Sequence, residues 1–74
     1  ASNIKLKERS VRILMAETSI EEEKAEKLLN DSGWDLRVAL VAFRTGADIE
    51  TARNVLSENN FVVEKGVEIL RAKK

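Results

Sequence analysis

The sequence predicts an all-α fold of five short helices. Three observations carry that prediction. There is no proline and there are only three glycines among the 74 residues, so little interrupts a helix. Apolar residues recur at three- and four-residue intervals rather than in alternation. The stretch 34–43, WDLRVALVAF, holds only two polar side chains, Asp35 and Arg37. A helix there is apolar on nearly all sides and has to be surrounded. At about 100° per residue, Trp34, Val38 and Val41 share one side and Leu36, Leu40 and Phe43 the opposite one, with Ala39 and Ala42 between. On this reading Trp34, Leu36, Leu40 and Phe43 are all largely buried.

The first helix is expected over residues 4–16, capped by Ser2 or Asn3. Ile4, Val11, Leu14 and Met15 make its inner stripe. Leu6 and Ile13, seven apart, make a second stripe roughly opposite, with no evident partner inside a five-helix bundle. Beside them lie Lys5, Arg9 and Arg12, three cations on one face. The second helix follows a capping box, Ser19 with Glu22, and turns Ile20, Ala25, Leu28 and Leu29 inward. Asn30-Asp31-Ser32-Gly33 reads as a turn, and Ser32 with Asp35 can cap the central helix. Gly46 suits the left-handed position past that helix's end. The fourth helix is expected over 48–57, facing inward with Ile49, Ala52, Val55 and Leu56. After a turn at Asn59-Asn60 the fifth covers 61–71, with Val62, Val63, Gly66, Ile69 and Leu70 inward.

The chain repeats itself at an offset of 27. Residues 18–44 lie on 45–71 without a gap, bringing Thr18 onto Thr45, Ala25 onto Ala52, Leu29 onto Leu56 and Arg44 onto Arg71. Trp34 meets Phe61, and the small residue Ala39 meets Gly66. Each unit is helix, polar turn, aromatic, helix. The expected organisation is one domain over 1–74, with a first helix and docking segment over 1–17 and helical pairs over 18–44 and 45–74.

Composition narrows the function. Formal net charge is zero, so bulk electrostatics selects neither nucleic acid nor an anionic membrane as a partner. The charge is nevertheless divided. Lys5, Lys7, Arg9 and Arg12 outweigh Glu8 at the start, while Glu17, Glu21, Glu22, Glu23, Glu26 and Asp31 outweigh Lys24 and Lys27 further on. With no cysteine and no histidine, metal ligation or thiol chemistry has little to work with, and no cofactor is expected. Glu21 and Glu22 sit where carboxylates complement a helix N-terminus, which accounts for them without catalysis.

The stretch Ser2-Asn3-Ile4-Lys5-Leu6-Lys7-Glu8-Arg9 with Arg12-Ile13 begins a run of motifs. Ala25-Glu26-Lys27-Leu28-Leu29, Asp35-Leu36-Arg37-Val38-Ala39-Leu40 and Thr45-Gly46 complete it. Together they resemble the C-terminal part of the N-acetylmuramic acid 6-phosphate etherases. The resemblance implies a role in bacterial cell-wall sugar recycling, in the cytoplasm. Enzymes of that family are lyases that eliminate D-lactate from the sugar phosphate. It further implies that catalytic residues belong to a sugar-isomerase-type domain upstream, so this chain alone is no enzyme. The expected partner is that domain or its dimer mate, and the isolated chain could self-associate. The first three helices also resemble a ubiquitin-associated three-helix bundle, extended here by a second pair. Ubiquitin binders of that type carry Met-Gly-Phe or Met-Gly-Tyr after the first helix. Here that loop is Glu17-Thr18-Ser19, so the similarity is one of fold. The alternative function is a stand-alone interaction module of that type. The candidate docking or substrate-facing residues are Asn3, Lys5, Leu6, Arg9, Arg12 and Ile13. The motif positions Asn3, Lys5 and Arg9 coincide with the basic face.

Overall fold

The computed structural model describes residues 3–72, with side chains from residue 5 onward; the cap at Ser2 and the side chains of Asn3 and Ile4 therefore lie outside it. Five α-helices follow one another: α1 Asn3–Thr18, α2 Glu22–Asp31, α3 Leu36–Thr45, α4 Ile49–Glu58 and α5 Val63–Ala72. No strand occurs among the described residues. The all-α expectation holds, and the 27-residue repeat is structural. Helices α2 and α4 begin and end 27 residues apart, as do α3 and α5.

The correspondence reaches further back than the sequence comparison. Helices α1 and α3 also end 27 residues apart, at Thr18 and Thr45. Each of those threonines donates its hydroxyl to the carbonyl four residues earlier, at 2.6 and 2.7 Å. Each is followed by a left-handed residue, Ser19 at φ 61° and Gly46 at φ 74°. The chain is thus two overlapping three-helix units, α1-α2-α3 and α3-α4-α5, sharing α3. Their cores match position by position. Val11, Leu14, Ala25, Leu29 and Ala39 are buried in the first unit. Val38, Val41, Ala52, Leu56 and Gly66 are their buried counterparts in the second. Overall extents of 36 × 23 × 17 Å fit two such units set side by side.

Sharing α3 also corrects the expected core. Leu36 and Leu40 are half-buried and Phe43 is 44% exposed, whereas Val38, Ala39, Val41 and Ala42 are sealed. Neighbours press on α3 from two sides, and helices approach closest over small or β-branched residues. The large side chains therefore end at the rims of the contacts rather than at their centres. Trp34 is half-buried and lies outside the helix.

Two expected caps are also replaced. Ser19 does not open α2. Its N–H donates to the Met15 carbonyl at 2.7 Å and its left-handed backbone closes α1, which is why α2 starts behind Glu21 with no side-chain cap. Ser32 is buried and donates its hydroxyl to the Leu28 carbonyl at 2.7 Å, ending α2 instead of starting α3. Asp35 caps α3, accepting from the Arg37 N–H at 3.0 Å. Between them Gly33 and Trp34 both hold positive φ, as do Asn60 and Phe61 in the second unit. The N–H groups of Trp34 and Phe61 return to the carbonyls of Leu29 and Leu56, at 2.7 and 2.8 Å. A bulky aromatic is rarely seen in that backbone region. Here the same bond fixes it in each unit.

Asp48 caps α4 by accepting from the Thr51 N–H at 2.7 Å. Hydrogen bonding to Thr51, through its side chain first and its N–H second, holds the Asp48 carboxyl below the ordinary carboxylate value. A folded-state value below the unfolded one means a contribution present above the unfolded value and lost as pH falls through the folded one. Asp48→Ala should therefore lower the melting temperature at neutral pH and converge on the parent at acid pH. A constant gap between the two melting curves from pH 7 to pH 2 would refute the cap's role.

Candidate functional site

Helix α1 is longer than its counterpart α3, 16 residues against 10, and the excess lies at its start. There Lys5, Leu6, Lys7, Glu8 and Arg9 are all exposed, with Leu6 58% open to solvent. The helical spacing brings Lys5, Leu6, Arg9, Arg12 and Ile13 to one face. With Glu8 they line a shallow depression of about 620 Å³. Ile13 is 39% exposed. So the structure gathers five of the six expected residues; the sixth, Asn3, has no described side chain. Leu6 and Ile13 are unpartnered within the bundle, as the spacing suggested.

Arg9 and Arg12 on this face form no ion pair with another described residue. Glu17, a natural partner for the cations of α1, is engaged elsewhere, with its carboxylate 3.1 Å from the Arg44 guanidinium across to α3. The other ion pairs among the described residues are Lys27–Asp31 and Asp35–Arg37. Neither Arg9 nor Arg12 belongs to any of the three. Such a face offers charge-assisted donors beside aliphatic surface, suited to an anion or to carboxylates on another protein surface.

The repeat explains what kind of surface this is. Arg9, Arg12 and Ile13 sit 27 residues before Leu36, Ala39 and Leu40. Those three are the positions through which α3 meets the first unit. The outer face of α1 is thus the place where a further helical pair would pack if the array continued. At the closest approach, where the two units have Ala39 and Gly66, α1 carries Arg12. A guanidinium there blocks a third pair in the same arrangement, since burying it unpaired is costly. This equivalence was readable from the sequence had the offset been applied to 9–17 as well.

A second feature was missed outright. On the other side of α1, between it and α2, runs a groove of about 580 Å³ lined by Lys7, Glu8, Val11, Arg12, Met15, Glu22, Glu26 and Trp34. The Lys7 ammonium stands 4.9 Å from the centre of the Trp34 ring, a cation–π arrangement. In the second unit Arg37 stands 4.7 Å over Phe61. The signal in the sequence was the pair of aromatics at matching positions, each preceded by a helix able to offer a cation. Among the described residues no group of three or more acidic side chains is placed to hold a metal ion. No described helix is long and apolar enough to cross a membrane.

Comparison with known proteins places the chain. No family model matches it, and no solved structure does. Curated relatives do. It is 38% identical over 66 residues to an N-acetylmuramic acid 6-phosphate etherase of Halalkalibacterium halodurans, covering 89% of this chain and 22% of that protein. It is 40% identical over 58 residues to the Pseudoalteromonas atlantica etherase, covering 78% and 19%. It is 36% identical over 69 residues to N-acetylmuramic acid 6-phosphate etherase 2 of Bacillus licheniformis, covering 93% and 23%. The chain spans about a fifth of the length of these relatives. Similarity over nearly all of its helices, α1 included, makes this chain a region belonging to the N-acetylmuramic acid 6-phosphate etherase family.

Proposed function

We propose that the chain is the C-terminal accessory helical region of a cytoplasmic N-acetylmuramic acid 6-phosphate etherase. On this reading its three leading helices form a ubiquitin-associated-like bundle, and the outer face of α1 packs on the sugar-isomerase-type domain or on that domain's dimer mate. The observation that carries the proposal is the match to etherases at 36–40% identity. The exposed Leu6 and Ile13, with Arg9 and Arg12 beside them, supply the docking surface. The parent enzyme would release D-lactate from the sugar phosphate. The region alone would not, because it offers no acid and base converging in a pocket. Sequencing upstream of residue 1 tests this directly. A gene lacking a sugar-isomerase-type domain there would favour a stand-alone interaction module.

The docking face is tested by changing Leu6→Glu and Ile13→Glu together. Both side chains are exposed, so the isolated chain should lose no more than about 0.5 kcal/mol per site, as surface changes do. In the full-length protein, cleavage by added protease just ahead of α1 should rise about tenfold, corresponding to about 1.4 kcal/mol of lost docking. If the double change unfolds the isolated chain, the stripe is core and the docking reading fails.

A further inference from the structure

The outer face of α1 combines two features, and a partner has to answer both. Arg9 and Arg12 are exposed and belong to none of the ion pairs among the described residues. Leu6 and Ile13 lie beside them as exposed aliphatic surface.

A second copy answers neither well. Two such faces meeting about a two-fold axis bring like charge onto like charge, because Lys5, Arg9 and Arg12 stand there against one carboxylate, Glu8. Like charges brought together across an interface select against that pairing. The other way for a second copy to meet the face is with a different surface. The acidic excess lies on α2, where Glu22, Glu23 and Glu26 are exposed. Yet α2 exposes no large apolar side chain, so it would leave Leu6 and Ile13 uncovered. The large apolar residues exposed outside α1 are Phe43, Phe61 and Val62. Phe61, with Val62 next to it, lies under the Arg37 guanidinium, and Phe43 precedes Arg44. Cations therefore accompany the apolar surface there as well.

We propose that the occupant is a carboxylate-bearing face with an apolar strip, in the part of the etherase that lies outside this chain. Asp or Glu side chains there pair with Arg9 and Arg12, while aliphatic side chains cover Leu6 and Ile13. The chain spans about a fifth of the length of its relatives, so most of the parent's surface is available to carry such a face. The inference rests on the reading of α1's outer face as a docking surface. It adds the charge of what that face docks on, which makes docking weaken with salt.

The test uses the full-length protein and the rate of protease cleavage just ahead of α1, with cleavage of an unfolded substrate as the reference for protease activity. Arg9→Glu with Arg12→Glu should raise the rate about tenfold. Arg9→Glu alone, which leaves Arg12 beside Glu22 and Glu26, should raise it severalfold. Arg9→Lys with Arg12→Lys keeps the charge and should stay near the parent. Raising sodium chloride from about 0.05 M to about 0.5 M should raise the parent's rate severalfold and leave the double Glu variant unchanged. Both arginines are exposed, and circular dichroism checks that the helices remain. If Leu6→Glu with Ile13→Glu raises cleavage while the arginine changes and salt do not, the proposal is overturned and the docking reading stands. If none of the changes raises cleavage, both fall. A photo-crosslinker, p-benzoylphenylalanine, at position 13 should link to an acidic peptide outside this chain. Its linkage to α2 of a second copy, identified by isotope-mixed protein, overturns the proposal.

Discussion

Leu29→Ala is expected to remove about 2–5 kcal/mol of folding stability, the range for a fully buried leucine cut back where the surroundings relax only partly. Leu29 has no exposed surface and belongs to the cluster with Val11, Leu14, Ala25 and Ala39. A chain of this length has on the order of 4–11 kcal/mol in total, at about 0.05–0.15 kcal/mol per residue. One truncation can therefore bring the chain close to half unfolded at room temperature. The change should not stop at the first unit. Helix α3 gives Ala39 to one cluster and Val38, Val41 and Ala42 to the other, so losing its support weakens both. Urea unfolding followed by ellipticity should show a single transition at lower midpoint. A biphasic curve, with the α4–α5 half melting at the parent's midpoint, would show that the units are independent.

Gly66→Leu should cost about 3 kcal/mol or more, by overpacking rather than by emptying. A bare Cβ at position 66 would already stand 3.3 Å from Val55 Cγ1, 3.5 Å from Val41 Cγ2 and 3.7 Å from Leu56 Cδ2. A leucine there must push α5 away from α3 and α4 together. Gly66→Ala is the informative control. It gains roughly 0.8–1 kcal/mol of helix propensity, meets one tight contact, and copies Ala39 at the matching position of the first unit. Near-neutral behaviour of the alanine with severe loss for the leucine is the expected pair of results. If leucine melts like the parent, α5 is not packed at this crossing.

The fold was largely legible, because helix number and order follow from periodicity and the near absence of breakers. Its errors cluster where local signals compete. Ser19 and Ser32 both carry the side chain of an N-cap, but serine also serves at helix ends, and here each closes the preceding helix. Counting apolar residues around the central helix overvalued Phe43. Size argues for burial, yet contact geometry gave the interior to alanines and valines. Leu6, Arg9, Arg12 and Ile13 were readable as one face because seven- and four-residue spacings survive any packing detail. The aromatics at 34 and 61 were legible as a matched pair, but the groove beside Trp34 was not, because its width is set by how α1 and α2 pack and not by spacing along either helix.

The shared helix also constrains the order of folding. Neither cluster can close before α3 is helical, while α1–α2 and α4–α5 have no joint core and no need of each other. Two routes are therefore open, one docking the N-terminal pair on α3 and one the C-terminal pair. Whichever forms first presents α3 already ordered to the second. Every core contact lies within one 27-residue step or its neighbour, so the chain searches only short loops, the condition for folding in microseconds to milliseconds. With no proline in the sequence, no slow isomerisation delays either route.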